Sequence, residues 1–433
     1  MKTLNMPLLA LAIALPAGAA PLADWPRPKS VIGKDARLEA RVAAIVANMT
    51  LAQKIGQMTQ PEIKAATPQD VTRYYLGSVL NGGGSWPNGN KHARAADWLA
   101  LAEQYHAASM ATDMAVKVPV IWGIDAVHGN NNVAGATIFP HNIGLGAAHD
   151  PRLAGEVAAA TARAVRATGI AWVFGPTIAV VRDDRWGRTY ESFSEDPLLV
   201  KSYAGPYVTG LQGRFKDDAN VIASIKHFMG DGGTDQGKDR GVTKAGAAEM
   251  MNIHGQGYYA GLAAGAQTVM VSFNSWNDVV AGVDHGKLHG SRAAVTDILK
   301  GKLGFDGFVV SDWNGIAEVP GCRNDSCPQA VNAGIDMFMV PDDWKAFIAN
   351  TTRQVESGEI PMARIDDAVT RILRVKLRAG LFGKAPSQNV YAGKDEALRA
   401  RELARRAVRQ SLVLLKNEGP GLPLKRGSRI LVV

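Results

Sequence analysis

Short apolar runs, each closed by a turn and followed by a helical stretch, recur along this chain, and that alternation leaves few folds open to it. Gly77-Ser78-Val79-Leu80 leads into a Gly-rich turn at 81–85, and Val118-Pro119-Val120-Ile121-Trp122 into Gly123-Ile124-Asp125. Ala171-Trp172-Val173-Phe174 leads into Gly175-Pro176, and the run at 221–225 into Lys226-His227. Runs at 268–273, 308–310 and 335–340 lead into Asn274-Ser275-Trp276, Ser311-Asp312-Trp313 and Pro341-Asp342-Asp343. Runs of this kind read as strands buried on both faces. Ala-rich helical stretches at 153–168 and 249–264 are the clearest of the segments between them. Strand then helix, seven or eight times over, predicts an α/β fold of the (β/α)8 TIM-barrel type rather than an open sheet. A doubly wound sheet would carry a dinucleotide fingerprint after its first strand; Asn81-Gly82-Gly83-Gly84 is too short to be one.

The 433 residues are enough for one barrel of about 250 residues with extensions. The ends read differently from the middle. Lys2, the apolar stretch 8–15 and Ala17-Gly18-Ala19-Ala20 have the form of a secretory signal with a small-residue cleavage site. That stretch is too short to span a bilayer, so no integral membrane segment is expected after its removal. The expected organisation is a signal peptide at 1–20, the barrel at 21–384, a linker and connecting helix at 385–428, and at 429–433 the first strand of an α/β sandwich domain, cut short. The helix within the linker is placed at 396–415. Export to the periplasm or beyond follows. In that setting Cys322 and Cys327, the two cysteines of the chain, are expected to close a small disulfide loop. Net charge is +8, yet Lys and Arg are scattered, and the cluster from Arg399 to Arg409 has the spacing of a solvated helix face. Nucleic acid is therefore not an expected partner.

In a parallel barrel the active site lies at the C-terminal ends of the strands. The polar residues just past the apolar runs are therefore the candidates. Asp312 ends one run and is followed by Trp313, an indole that suits a sugar face. Asp125, Arg188, Lys226 and His227 close others. Each has a bland reading. Asp125 and Asp312 could be helix N-caps, Arg188 part of a surface ion-pair loop, and His227 a hydrogen-bonded structural histidine. Their occurrence at successive strand ends favours a shared polar ligand, because unpaired buried charges are costly. No H-E-x-x-H or strand-end H-x-H occurs, so no metal and no cofactor are expected. Lys226 could form a Schiff base. Acids, bases and aromatic faces together fit a carbohydrate better.

Four strings carry a resemblance: Gly123-Ile124-Asp125-Ala126-Val127-His128-Gly129, residues 181–192 ending Arg188-Thr189-Tyr190-Glu191-Ser192, Ile225-Lys226-His227-Phe228-Met229-Gly230-Asp231-Gly232-Gly233, and Gly307-Phe308-Val309-Val310-Ser311-Asp312-Trp313. Together they resemble glycoside hydrolase family 3, nearest its exo-acting β-glucosidases and β-glucan glucohydrolases. The resemblance implies retaining hydrolysis that releases terminal β-D-glucose from β-glucans, cello-oligosaccharides or aryl glucosides through a covalent glycosyl-enzyme on Asp312. It implies that Asp125, Arg188, Lys226 and His227 hold the sugar and that Trp313 walls its site. Phe273 stands where related glucohydrolases tend to have Tyr. The cations Lys226 and Arg188 are expected to lower the pKa of Asp312. In two-domain members the acid/base glutamate comes from the second domain, so it is expected outside this chain. Single-domain members use a His where this chain has Asp231. The alternatives are a sugar-binding barrel with little turnover, or a β-xylosidase of the same family.

Overall fold

The computed structural model describes residues 24–419 and 421–431; the proposed signal peptide lies outside them. Eight parallel strands form a ring. They are β1 (Thr59–Gln60), β2 (Ser78–Asn81), β3 (Ile121–Ile124), β4 (Trp172–Val173), β5 (Ile222–Phe228), β6 (Thr268–Val271), β7 (Phe308–Val310) and β8 (Phe338–Met339). The strands from β2 to β7 pair in sequence order, and β8 pairs with β1. Single bridges, Glu62 with Leu80 and Val310 with Met337, complete the circle. The fold is the barrel that the alternation predicts. β1 escaped the sequence reading because it is two residues long and polar, Thr-Gln, with no apolar run to mark it.

The helices outside the ring follow from local sequence. In Pro151–Ala167, Asp150 accepts from the Leu153 amide at 3.0 Å, and Pro151 occupies a first-turn position that needs no donor. Leu153, Ala154, Val157, Ala158, Thr161, Ala162 and Val165, spaced by three and four, form the buried stripe. Inside the barrel, Trp172 of β4 reaches past β5 to donate to Thr268 Oγ1 of β6 at 2.9 Å. Its ring meets Phe174 and Phe308 edge-on at 4.8 and 5.1 Å. Gly123 on β3 makes room for this cluster: a Cβ there would lie 2.3 Å from the Phe174 ring. Below the strands, Lys376 on the closing helix Met362–Arg378 is fully buried and donates to Gln57 Oε1 at 2.8 Å and the Gly77 carbonyl at 2.7 Å.

Above the strands, Val242–Lys244, Ser275–Asp278 and Val283–Lys287 make a small side sheet that walls one edge of the barrel mouth. Cys322 and Cys327 are joined in a disulfide in the loop after β7. The late helix is Arg401–Ser411, shorter than the sequence pattern suggests at both ends. It docks on the Pro151–Ala167 helix through the Arg406–Glu156 ion pair. Leu412 to Leu415 then run extended and exposed, and residues 429–431 are exposed without strand pairing. Among the described residues, no helix is long and apolar enough to cross a membrane.

Candidate active site

Asp125, Arg188, Lys226, His227, Phe273, Asp312 and Trp313 all line one cavity of about 520 Å³ at the C-terminal mouth of the barrel. The chain brings together every residue that the sequence singles out for the site. Strand geometry does this. β3, β5, β6 and β7 each deliver at least one of these side chains within a few residues of their last barrel position, and the loop after β4 delivers Arg188.

Asp312 sits two residues past β7. Its own amide donates to His289 Nε2 at 3.0 Å, and its Oδ1 accepts from the Trp313 amide at 2.6 Å. Its Oδ2 is 3.7 Å from His227 Nε2. Burial raises the Asp312 carboxyl; Arg188 and Lys226 pull it down without cancelling that, and it is pushed up to about 6. The two cations do lower it, as expected, but burial, which the sequence reading left out, outweighs them and the net shift is upward. Lys226 is partly engaged elsewhere, bonded to Asp125 Oδ1 at 2.6 Å, and Arg188 is bonded to Glu191. Removing water from a carboxylate outweighs cations whose charge is already shared.

Arg188 and Glu191 form a two-pronged pair, Nε to Oε1 at 2.6 Å and Nη2 to Oε2 at 2.8 Å. Burial opposes both charges, but the pairing wins, lowering Glu191 and raising Arg188. Arg188 Nη2 also donates to His227 Nε2 at 3.0 Å. That bond requires a lone pair on Nε2, so the proton rests on Nδ1 and donates to Asp231 Oδ2 at 2.9 Å. Burial, with Arg188 and Lys226, holds His227 well below the usual imidazole value, and it is neutral. Asp231 is pushed up to about 7 by burial. The Lys226–His227 peptide is cis.

The other walls are aromatic and cationic. Trp313 is 38% exposed. Its indole covers Gly82, where a Cβ would come within 3.0 Å of the ring. Arg240 lies over the Phe273 ring at 3.9 Å and bonds Glu318 at 2.7 Å. The His128 and His141 rings meet at a tilt, 4.5 Å between centroids, and burial, then His128, depresses His141 to about 4. Among the described residues there is no cluster of three or more His, Cys, Asp or Glu able to hold a metal ion.

Sequence reading missed Glu191, His128, His141 and His289. Glu191 carried a signal, since it lies three residues beyond Arg188 in the same string. His289, alone in Leu288-His289-Gly290, carried none.

A parallel barrel with a largely buried carboxylate, two cations and an indole converging at its mouth has the equipment of a sugar-handling enzyme. The chain belongs to glycosyl hydrolase family 3: the model for that family's N terminal domain matches residues 50–375. It is similar to the exo-1,3/1,4-β-glucanase ExoP of a Pseudoalteromonas species, whose crystal structure aligns with TM-score 0.87 at 49% identity over 91% of this chain and 50% of that one. A lysosomal β-glucosidase of Dictyostelium discoideum is 33% identical over 88% of this chain and 49% of its own length. A periplasmic β-glucosidase of Salmonella typhimurium is 30% identical over 91% and 50%. The chain thus spans about half the length of these relatives.

Proposed function

We propose that this chain is the sugar-binding and nucleophile-bearing barrel of an exported, retaining β-glucosidase that releases terminal β-D-glucose from β-glucans or cello-oligosaccharides. The observation that carries it is Asp312: a largely buried carboxylate at a barrel strand end, facing Arg188 and His227, beside an exposed indole. One oxygen of Asp312 is tied to the Trp313 amide. The other attacks the anomeric carbon, forming a C–O bond to the protein as the glycosidic C–O bond breaks. The departing oxygen takes a proton from an acid. Water then cleaves the glycosyl ester with that same acid acting as base. Asp125, Lys226, His227 and Arg188 supply donors and acceptors for the hydroxyls of the sugar, and Trp313 an apolar face. Lys226 is committed to Asp125, which weighs against a Schiff base there.

The proton donor is proposed to lie outside this chain, as the family resemblance implies. A retaining acid must sit about 5–5.5 Å from the nucleophile with a raised pKa. Among the described residues, the other carboxylates lining the cavity are Asp125 and Glu191, each bonded to a cation. That pairing favours the alternative that the chain alone binds sugar with little turnover. A relative named β-xylosidase, from Formosa agariphila at 27% identity, keeps xylose open as the terminal sugar. The periplasmic relative and the sequence of residues 1–20 support export.

The test is incubation of this chain with a 2-fluoro-β-glucoside bearing an activated leaving group, which needs little help from an acid. A fluoroglucosyl adduct mapped to Asp312 is expected. In Asp312→Asn the adduct should vanish, with a rate loss of at least about a thousandfold, or roughly 4 kcal/mol. An adduct on another residue, or equal labelling of the variant, would sink the proposal. Rapid hydrolysis of cellobiose by this chain would dispose of the low-turnover alternative.

A further inference from the structure

We propose that His289 is the positioning residue for the Asp312 carboxylate; the inference rests on the reading of Asp312 as nucleophile. His289 is 1% exposed and lies in the turn after the side sheet, far in sequence from Asp312. Burial holds it down to about 3, so it is neutral. Its Nε2 accepts the Asp312 amide at 3.0 Å. A neutral imidazole that accepts at Nε2 carries its proton on Nδ1. The same ring packs on Phe273, two residues past β6, and Asp312 lies two residues past β7. One ring therefore spans the ends of two adjacent strands.

The ring is also held tightly. Gly315 presses against it so closely that a Cβ there would lie 2.3 Å from Nε2. Phe273 packs at 5.7 Å between ring centroids. The result is a nucleophile fixed at two points. His289 fixes the backbone of Asp312 from below, and the Trp313 amide fixes Oδ1. Only Oδ2 is left free, on the side of His227 and the cavity. Without the imidazole acceptor, the Asp312 amide would be buried and unpaired, and the peptide would rotate to seek another partner. Such a rotation carries the carboxylate with it.

The experiment uses the same activated 2-fluoro-β-glucoside on this chain and separates the saturating labelling rate from the half-saturating concentration. Gln places its carbonyl oxygen about where Nε2 sits; Asn is too short; Met fills the space without accepting. For His289→Met the labelling rate is expected to fall about 10- to 100-fold, since a misplacement of about 1 Å costs on that order, with half-saturation nearly unchanged. His289→Gln is expected to recover most of the rate and His289→Asn little of it. Should the Met variant fail to fold, the Gln and Asn variants, both polar, decide the question. Labelling of His289→Met at the wild-type rate, or equal losses in Gln and Asn, would overturn the positioning role alone. Absence of an adduct in the wild-type chain would overturn the nucleophile reading and the positioning role with it.

Discussion

At the scale of single residues, the site is a contest between burial and shared charge. Asp312 is raised to about 6 although Arg188 and Lys226 both face it. A nucleophile must be ionised to attack. Labelling of Asp312 should therefore increase with pH and level off above about 6. Replacing Lys226 with Met removes one of the opposing cations. The carboxyl then rises further, so the acid limb of the labelling profile should move to higher pH. An unchanged or lower limb in Lys226→Met would show that Lys226 does not reach Asp312 electrostatically. His227 is different in kind. It is neutral by burial and oriented by Asp231, so its work is hydrogen bonding rather than proton transfer.

At the scale of elements, the closing helix is fastened by a buried cation without a carboxylate. Lys376 donates to Gln57 and Gly77, and burial lowers it to about 7. The unfolded chain keeps a lysine protonated to about 10.4. Between those values the unfolded state binds a proton that the folded state has released. Stability therefore rises with pH across this window, by at most about 1.4 kcal/mol per pH unit from this group. Lys376→Met should abolish that slope. Denaturant midpoints measured at pH 7 and 9.5 for both chains test it, and parallel behaviour of the two would rule the account out. The same helix ties to the strand layer through Arg364 and Lys300, which share the fully buried Asp336 with Asp367 nearby.

At the scale of the whole molecule, the barrel is closed by its own pairings, and the residues after Ser411 stand apart from it. Leu412, Leu414, Leu415 and Leu431 are exposed, at 74%, 65%, 91% and 85%. Apolar groups concentrated in this way mark a sticky surface. A chain ending at Ser411 should unfold at nearly the same temperature and bind less of a hydrophobic dye such as ANS. A marked fall in the unfolding temperature would mean that the tail supports the barrel.

The barrel, its parallel order and seven of its eight strands were legible because strand and helix periods alternate openly in the sequence. So were Asp125, Lys226, His227 and Asp312, since a charged residue that ends a buried apolar run has few places to go; Arg188, in the loop after β4, was legible from the string that carries the family resemblance. The two-residue β1 left no trace of that kind, because its place is set by pairing with β8 and not by its own composition. The sequence alone determined which chemical groups gather at the mouth. Their states came from packing: burial outweighs two cations at Asp312, Arg188 is shared between Glu191 and His227, and a lone histidine at 289 grips the backbone of Asp312. Those outcomes depend on distances and on excluded water, which arise only when distant segments pack.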